Sequence, residues 1–482
     1  MVDNMENIVN GILERVGNSP DLIHRELNIS KEKIDLLFFE TLCNNKNIND
    51  FVLEYLSYLK INKKIVINLY DYIKEFTPSH NIEVVYTTDG IMEKLFAGFA
   101  VIIINDKYFA MEFKKQLDSG IAKAEGEKTI KGPKDAFTEN YQTNIGLIRK
   151  RLKNDKLWLE EMTIGERSKT KVGILYFNDI VDLELVQKIK DELEKISIDS
   201  IPDSNYIYEF IRKDKSLFPS VISTERPDLV SYKLLNGKVA IVVENTPYVI
   251  LLPVFFMEFF HTMDDYYQNN KNTTYMRLIR FLAFVITLML PALYIALITY
   301  NHEIIPPDLL INFAIQKEGV PFPTILEAFI LSITFEVLRE TDVRTPSTLG
   351  SALSIVGALV LGDAAVQAGL VSPIMVIVIA ITAISEMIFN ATDISNAVKI
   401  WRIIFMVLAS FAGMIGVFIV IIMIIAEVSS INSFGVPYLY PNAPFNPSDQ
   451  RNDIILTEKY KLNFRNKLTA KRNIRRGNYE SN

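Results

Sequence analysis

Cysteine is almost absent from this chain of 482 residues: Cys43 stands alone. One thiol allows no internal disulfide and no cysteine-based metal site. Histidine is scarce too. His24, His80, His261 and His302 are scattered without ligand spacing, so no metal site and no cofactor are expected. Catalytic signatures are missing as well. There is no Gly-x-Ser-x-Gly, no His-Glu-x-x-His and no phosphate-cradling Gly-x-x-x-x-Gly-Lys-Ser/Thr, and the apolar runs hold neither His nor Cys. An enzyme is not expected. Met1–Asn18 has no basic start and no apolar centre, so no secretory leader is expected. No long apolar run precedes about residue 281, and the large polar front is therefore expected to be cytoplasmic.

What the chain does have is five apolar runs between Arg280 and Val428. They are Phe281–Tyr300, Thr324–Leu338, Leu349–Val371, Pro373–Phe389 and Ile403–Val428. A lipid core about 30 Å thick needs about 20 apolar residues in a helix, which the first and fifth runs supply outright. The third does so by length but is interrupted at Gly362-Asp363. The chain reads as an integral membrane protein of the α+β plus membrane class. Two small cytoplasmic α/β domains precede a polytopic helical domain and a basic cytoplasmic tail. The expected boundaries are 1–125, a polar linker 126–142, a second α/β domain 143–253, an interfacial approach 254–279, the helical domain 280–430, and a proline-rich loop and tail 431–482.

In the front, residues 1–60 read as helical, with Ile34, Leu37, Phe38, Thr41 and Leu42 at helical spacing after Ser30. Glu83–Thr87 reads as a strand, and Gly98–Ile104 with Tyr108–Phe113 as a hairpin. The second unit alternates strand and helix: Asn144–Leu152 helix, Lys171–Phe177 strand, Leu183–Ile196 amphipathic helix, Asp228–Leu235 helix, then a hairpin of Lys238–Val243 and Tyr248–Leu252. The run Arg149-Lys150-Arg151 lacks aromatic neighbours and reads as a solvated helix face, not a nucleic-acid site. Val254–Phe260, followed by Tyr266, Tyr267, Arg277 and Arg280, suits an amphipathic helix on the inner leaflet, with a last core helix of the soluble domain as the alternative. Residues 451–482 carry nine Lys/Arg against three acids, which argues for a cytoplasmic tail drawn to anionic lipid and disordered when free.

If both termini are cytoplasmic, the crossings are even in number, so one of five runs does not cross fully. Thr324–Leu338 is the expected exception, the third run being the other candidate because Gly362-Asp363 interrupts it, and four crossings remain. Thr324–Leu338 carries Glu327 and Glu336 and runs into Arg339, Glu340 and Arg344, which are candidate buried polar or gating residues. In the third run Gly350, Ser354, Gly357 and Leu361 fall within about 60° of one another on a helix. Small residues on one stripe suit close helix packing or a pore wall, and both readings stand from spacing alone. With Asp363 at the break, these five are the candidate pore-lining residues.

Several ordered motifs carry a resemblance. Ser223-Thr224-Glu225-Arg226-Pro227-Asp228 leads to Leu234-Leu235-Asn236-Gly237-Lys238. Later come Pro291-Ala292-Leu293-Tyr294, Gly319-Val320-Pro321-Phe322-Pro323, Phe335-Glu336-Val337-Leu338-Arg339-Glu340, Ile355-Val356-Gly357-Ala358-Leu359-Val360 and Ser433-Phe434-Gly435-Val436-Pro437-Tyr438. Together, from about residue 130 to 445, they resemble the A subunit of GerA-type spore germination receptors. The resemblance implies residence in the spore inner membrane and response to nutrients. It also implies partnership with a transporter-like B subunit and a lipoprotein C subunit, and assembly as a homo-oligomeric ring, pentameric by expectation, around an ion path. The chain departs from the pattern at Arg339-Glu340-Thr341-Asp342-Val343-Arg344, at Asp363 where the family usually has glutamine, and at the polar Ser385–Asn390. The expected function is a germinant-gated channel for monovalent cations. A membrane-anchored signalling scaffold is the alternative, and a solute transporter is weaker because no inverted repeat is visible.

Overall fold

The computed structural model describes residues 2–29, 32–54, 56–57, 69–76, 79, 81–104, 107–116, 124, 126–212, 216–344, 362–388, 392–447, 449–450, 453 and 455–477. The front of the chain builds two antiparallel five-stranded sheets with the same strand order. In the first, β1 (Leu22–Ile29), β2 (Glu32–Phe39), β3 (Ile82–Val85), β4 (Phe99–Ile104) and β5 (Lys107–Glu112) lie in the order β1-β2-β4-β5-β3. In the second, β6 (Leu157–Ile164), β7 (Thr170–Phe177), β8 (Ile222–Thr224), β9 (Val239–Val243) and β10 (Val249–Leu252) lie in the order β6-β7-β9-β10-β8. Each sheet follows a helix, α1 (Val2–Arg15) for the first and α4 (Tyr141–Arg151) for the second. Each also has a helix just before its last hairpin, α3 (Thr88–Phe96) and α7 (Pro227–Leu234). Another helix, α2 (Leu69–Phe76), precedes β3, while α5 (Leu183–Glu194) and α6 (Ser204–Ile211) precede β8. The front is thus one topology used twice.

The expected helix over residues 22–39 is a hairpin of β1 and β2, registered Leu22↔Phe39 through Ile29↔Glu32. The reason is that β2 lies between β1 and β4 and is covered on both faces. Ile34, Leu36 and Phe38 pack with Tyr70, Ile73 and Phe109, while Leu37 and Phe39 pack with Val9, Ile12, Ile91 and Leu95. A strand buried on two faces reads as a continuous apolar run, which periodicity alone does not separate from a helix.

One core joins the two sheets. Phe39, Leu95 and Val101 of the first share it with Ile148, Leu157, Leu175 and Val242 of the second. Arg149 crosses this core and is 0% exposed. Its Nε donates to Asp21 Oδ2 at 2.6 Å and its Nη2 to Asp21 Oδ1 and Ser19 Oγ, both at 2.8 Å. Its guanidinium also lies 4.7 Å from the Phe39 ring centroid. The basic run is therefore not a solvated face: Arg149 is an internal fork, and Arg151 pairs with Asp135 at 2.5 Å. Only Lys150 among the three is exposed.

The tail also differs from expectation. It packs on the second unit, Ala470 being fully buried in the shared core. Thr469 Oγ1 donates to the Asn236 carbonyl at 2.6 Å, Lys471 pairs with Asp182 at 2.5 Å, and Arg472 reaches the Asn178 carbonyl at 2.7 Å. Gly237 (φ +79°) makes room: a Cβ there would lie 2.6 Å from the Thr469 carbonyl oxygen. Burial of the segment's few apolar residues and fixed carbonyl partners outweigh its charge.

Beyond the sheets lies a helical bundle of α8 (Asn270–Thr299), α9 (Pro307–Lys317), α10 (Thr324–Arg344), α11 (Pro373–Glu386) and α12 (Thr392–Ser430). The stretch expected as an amphipathic helix at the leaflet is a 3-10 turn, Phe256–Phe260. Its phenylalanines are buried against Phe284, Leu288 and Tyr438. Those rings find their apolar partner inside the protein.

Helix α12 is a hairpin. Gly413 has φ 59° and ψ −138°, which breaks the helix into arms 392–412 and 414–430. A Cβ on Gly416 would lie 2.1 Å from the Leu408 carbonyl oxygen. Residues eight apart in a continuous helix are separated by about 12 Å, so the chain has doubled back. Both ends of α12 accordingly face the second sheet. Asp393 lines a cavity with Asp203 and Tyr248, and Glu427 accepts from Ser216 Oγ at 2.6 Å and from the Leu217 N–H at 2.7 Å. The turn itself abuts the far end of α8, where the Met414 N–H donates to Asn301 Oδ1 at 3.1 Å.

Among the described residues two helices, Asn270–Thr299 and Asp393–Ser430, are long and apolar enough to cross a membrane by length and composition. The second is two arms joined at Gly413, the first of them, 392–412, about the length that a lipid core requires. The expectation of four crossings rested on the fifth run being a single span, and the turn at Gly413 removes that premise. Nor is Thr324–Leu338 a short insertion. It belongs to α10, a helix of 21 residues that runs from the far end of the bundle to the end facing the sheets.

Candidate functional site in the helical bundle

Polar residues inside an apolar bundle are costly, and they persist where each finds a partner. At the far end Glu327, in the first turn of α10, is 0% exposed. Its Oε2 accepts the Ser372 N–H at 2.9 Å, and Lys317 Nζ stands 3.9 Å from its Oε1. Ser372 in turn caps α11, whose first residue is Pro373. A proline at the first helical position leaves that orphan donor absent, and a carboxylate at a helix start complements the dipole. Glu327 therefore fastens the start of α11 to the start of α10.

At the near end, α10, α11 and α12 meet through charge. Glu386, the last residue of α11, has a side chain only 4% exposed. Its Oε1 accepts from Arg339 Nη1 at 2.6 Å and from Ser395 Oγ at 2.8 Å, and its Oε2 accepts from Arg402 Nη1 at 2.7 Å. Glu336 takes Lys399 at 2.7 Å and also Arg339. Two carboxylates thus hold three cations across three helices. Glu340 and Arg344 form an exposed i,i+4 pair at 2.5 Å, which contributes little.

The ten candidate residues from the sequence sort as follows. Glu336 and Arg339 come together, with Glu386, Lys399 and Arg402 added. Glu327 stands apart, with Lys317. Among the described residues Glu340 and Arg344 pair with each other. Asp363 is exposed, its Oδ2 accepting from Gln367 Nε2 at 2.7 Å. Gly350, Ser354, Gly357 and Leu361 lie outside the described residues. Glu386 was legible as an ionisable residue in an apolar run, but its role depends on two partners 47 and 16 positions away.

Between sheets and bundle lies a second charged layer. Asp265 accepts from Arg277 Nε at 3.0 Å and from Arg280 Nη1 and Nη2, both at 2.9 Å. Glu258 takes Lys233 at 2.7 Å and Lys238. Burial pushes the Glu258 carboxyl up, but the two lysines outweigh it and hold it at about 2. Lys238, sharing that one carboxylate, is pushed down by burial to about 8. Burial raises Asp453 to about 7 and drives His261, 3.9 Å from it, well below its ordinary value.

The polar linker is a strap over this layer. Glu225 Oε1 accepts the N–H groups of Gly126 at 2.8 Å and Glu127 at 2.7 Å. Arg226 donates to the carbonyls of Glu127 at 2.9 Å and Pro133 at 3.0 Å while forking onto Asp228. Asp264 accepts from the N–H groups of Ile130 and Lys131 at 3.1 Å, and Tyr267 donates to Asp228 at 2.6 Å. The motifs Glu225-Arg226-Pro227-Asp228 and Asp264-Asp265-Tyr266-Tyr267 are thus two halves of one clamp.

The family model described as Bacillus/Clostridium GerA spore germination protein matches residues 10–468. The chain belongs to the GerA family. Spore germination protein KA of Bacillus subtilis (strain 168) is 36% identical over 441 residues, covering 90% of this chain and 80% of that protein. Spore germination protein GerQA of Bacillus cereus is 32% identical, covering 94% and 90%. A protein called uncharacterized membrane protein YfkQ, of Bacillus subtilis (strain 168), is 38% identical over 68% of this chain and 64% of its own length. Among solved structures, the N-terminal domain of the A subunit of the Bacillus megaterium spore germinant receptor GerK3 matches at 28% identity. It covers 52% of this chain and 94% of that one, with a TM-score of 0.40. The resemblance to spore germination receptor A subunits therefore holds across nearly the whole length.

Proposed function

We propose that this GerA-family chain forms the conducting path of a germinant receptor in the spore inner membrane, releasing monovalent cations when partner subunits sense a nutrient. One observation carries the reading. The chain leaves the described residues at Arg344, beyond the Glu336–Arg339 cluster at the near end. It returns at Gly362, within 3.8 Å (measured from an ideal Cβ) of Val376 in the first turn of α11 at the far end. Arg344 and Gly362 thus stand at opposite ends of the bundle. Among the described residues α8, α10, α11 and the two arms of α12 make five legs. The tail packs on the sheets, so both lie on one side, the cytoplasmic one on this reading. Phe411, Ile415, Phe418 and Ile422, all exposed on α12, meet lipid or neighbouring copies. The homo-oligomer, a ring of five by expectation, and the B and C subunits belong to this proposal.

The scaffold reading treats the legs as an anchor only. Substituting Ser354→Leu or Gly357→Leu separates the two. A conducting path predicts blocked or leaky cation release from spores while the receptor still assembles. Unchanged release with intact assembly would refute the pore and leave the scaffold. Reconstitution with partners that yields no germinant-dependent conductance would refute it as well.

A further inference from the structure

Far from the bundle, the rim of the first sheet holds a cluster that the germination reading does not use. His24 and Glu26 are two residues apart on the edge strand β1 and share one face. Register sets Glu26 directly opposite Asp35 of β2. One ligand atom from each of His24, Glu26 and Asp35 lies within 4.8 Å of the other two. Asp35 is 1% exposed. Its Oδ1 stands 2.8 Å from His24 Nε2, while its Oδ2 is buried with no partner among the described residues.

This arrangement gathers more acceptor atoms than its neighbours satisfy. Carboxylates directly opposite each other on paired strands repel. A buried carboxylate oxygen without a donor costs still more. Lys33, 3.1 Å from Glu26, offsets the outer acid, and the inner oxygen of Asp35 is left. We propose that His24 Nε2, the Asp35 carboxylate and Glu26 bind one first-row divalent cation of the zinc or manganese type, pinning the edge strand to the sheet. One imidazole and two carboxylates suit such ions, which sit about 2.0–2.2 Å from each ligand. Closing onto one ion requires the ligand atoms to draw together, which the exposed Glu26 side chain supplies by turning from Lys33. Water fills the remaining positions, because β1 is an edge strand. The set is invisible in the linear sequence, since only strand register brings position 35 beside 24 and 26.

The test is calorimetric titration of the full-length chain in detergent, stripped with chelator, with zinc chloride and then manganese chloride. One saturable site per chain is expected, zinc binding tighter than manganese. His24→Ala and Glu26→Gln should each weaken zinc by about tenfold or more, and His302→Ala should not. Asp35→Asn should abolish binding; if that variant fails to fold, the His24 and Glu26 variants decide, as both sit at the surface or half-buried. No saturable site, or zinc held as tightly by His24→Ala as by the unaltered chain, would overturn the proposal.

Discussion

Consider Glu386→Gln. The substitution keeps shape and removes one negative charge that serves two arginines on different helices. Arg402 has a side chain 10% exposed and would lose its counterion at 2.7 Å. Arg339, 32% exposed, would keep Glu336. Removing one partner of a buried ion pair typically costs about 3–5 kcal/mol. Because one of the two arginines retains water and a second acid, the expected loss is at the low end, about 3 kcal/mol. The assay is denaturant unfolding of the detergent-solubilised chain followed by Trp401 emission, in a Trp158→Phe background. Trp401 is 4% exposed and adjoins Arg402, so it reports on this seam. Arg402→Gln alone should also destabilise, leaving Glu386 to Arg339 and Ser395. The double variant should recover part of the loss, with a coupling energy of at least about 1 kcal/mol. If the two single losses simply add within about 0.5 kcal/mol, the seam is not a coupled unit and the reasoning fails. In spores, the proposed conducting role predicts that the same variant shifts the nutrient concentration needed for germination, because the seam joins three helices of the bundle.

Three further outcomes follow. Arg149→Met should destabilise the sheets by about 3–5 kcal/mol, because Asp21 would remain buried without its fork; adding Asp21→Asn should restore part of this, and equal stability of the single variant and the parent in urea would contradict it. Gly413→Ala should cost about 2 kcal/mol or more, since the backbone sits at φ 59° and a Cβ would meet Asn301 Oδ1 at 2.7 Å; a variant as heat-stable as the parent would refute the hairpin. Asp453 is raised in the fold from 3.8 to about 7, so the folded chain holds a proton that the unfolded chain has released. Its contribution is full below about pH 4 and lost as pH rises through 7. Asp453→Asn should therefore flatten the fall in thermal stability between pH 5 and 8, and an unchanged slope would count against the assignment. Glu127, also raised by burial to about 7, supplies the residual slope.

The second unit was largely legible. Its helices carry their own caps, Asn140 for α4 and Asp182 for α5, and its last hairpin is marked by the polar turn Glu244-Asn245-Thr246-Pro247 between two short apolar runs. The first unit was misread where β2 is buried on two faces. Arg149 was misread because its neighbours Lys150 and Arg151 set a polar context that the fold does not honour. The clamp went unseen because Glu225, Arg226 and Asp264 act on linker residues nearly a hundred or more positions away.

Local chemistry by itself determined which part of the chain is apolar, where most helices start and end, and which family the motifs resemble. Composition and hydrogen-bonding rules act over a few residues, and those decisions need no distant partner. The tertiary structure alone decided that the fifth apolar run turns back at Gly413, that Glu386 rather than Glu340 ties the helices, and that the basic tail lies on the sheets. Each of these depends on which groups meet across tens to hundreds of positions, and a charge or a glycine in the linear chain does not carry the identity of its partner.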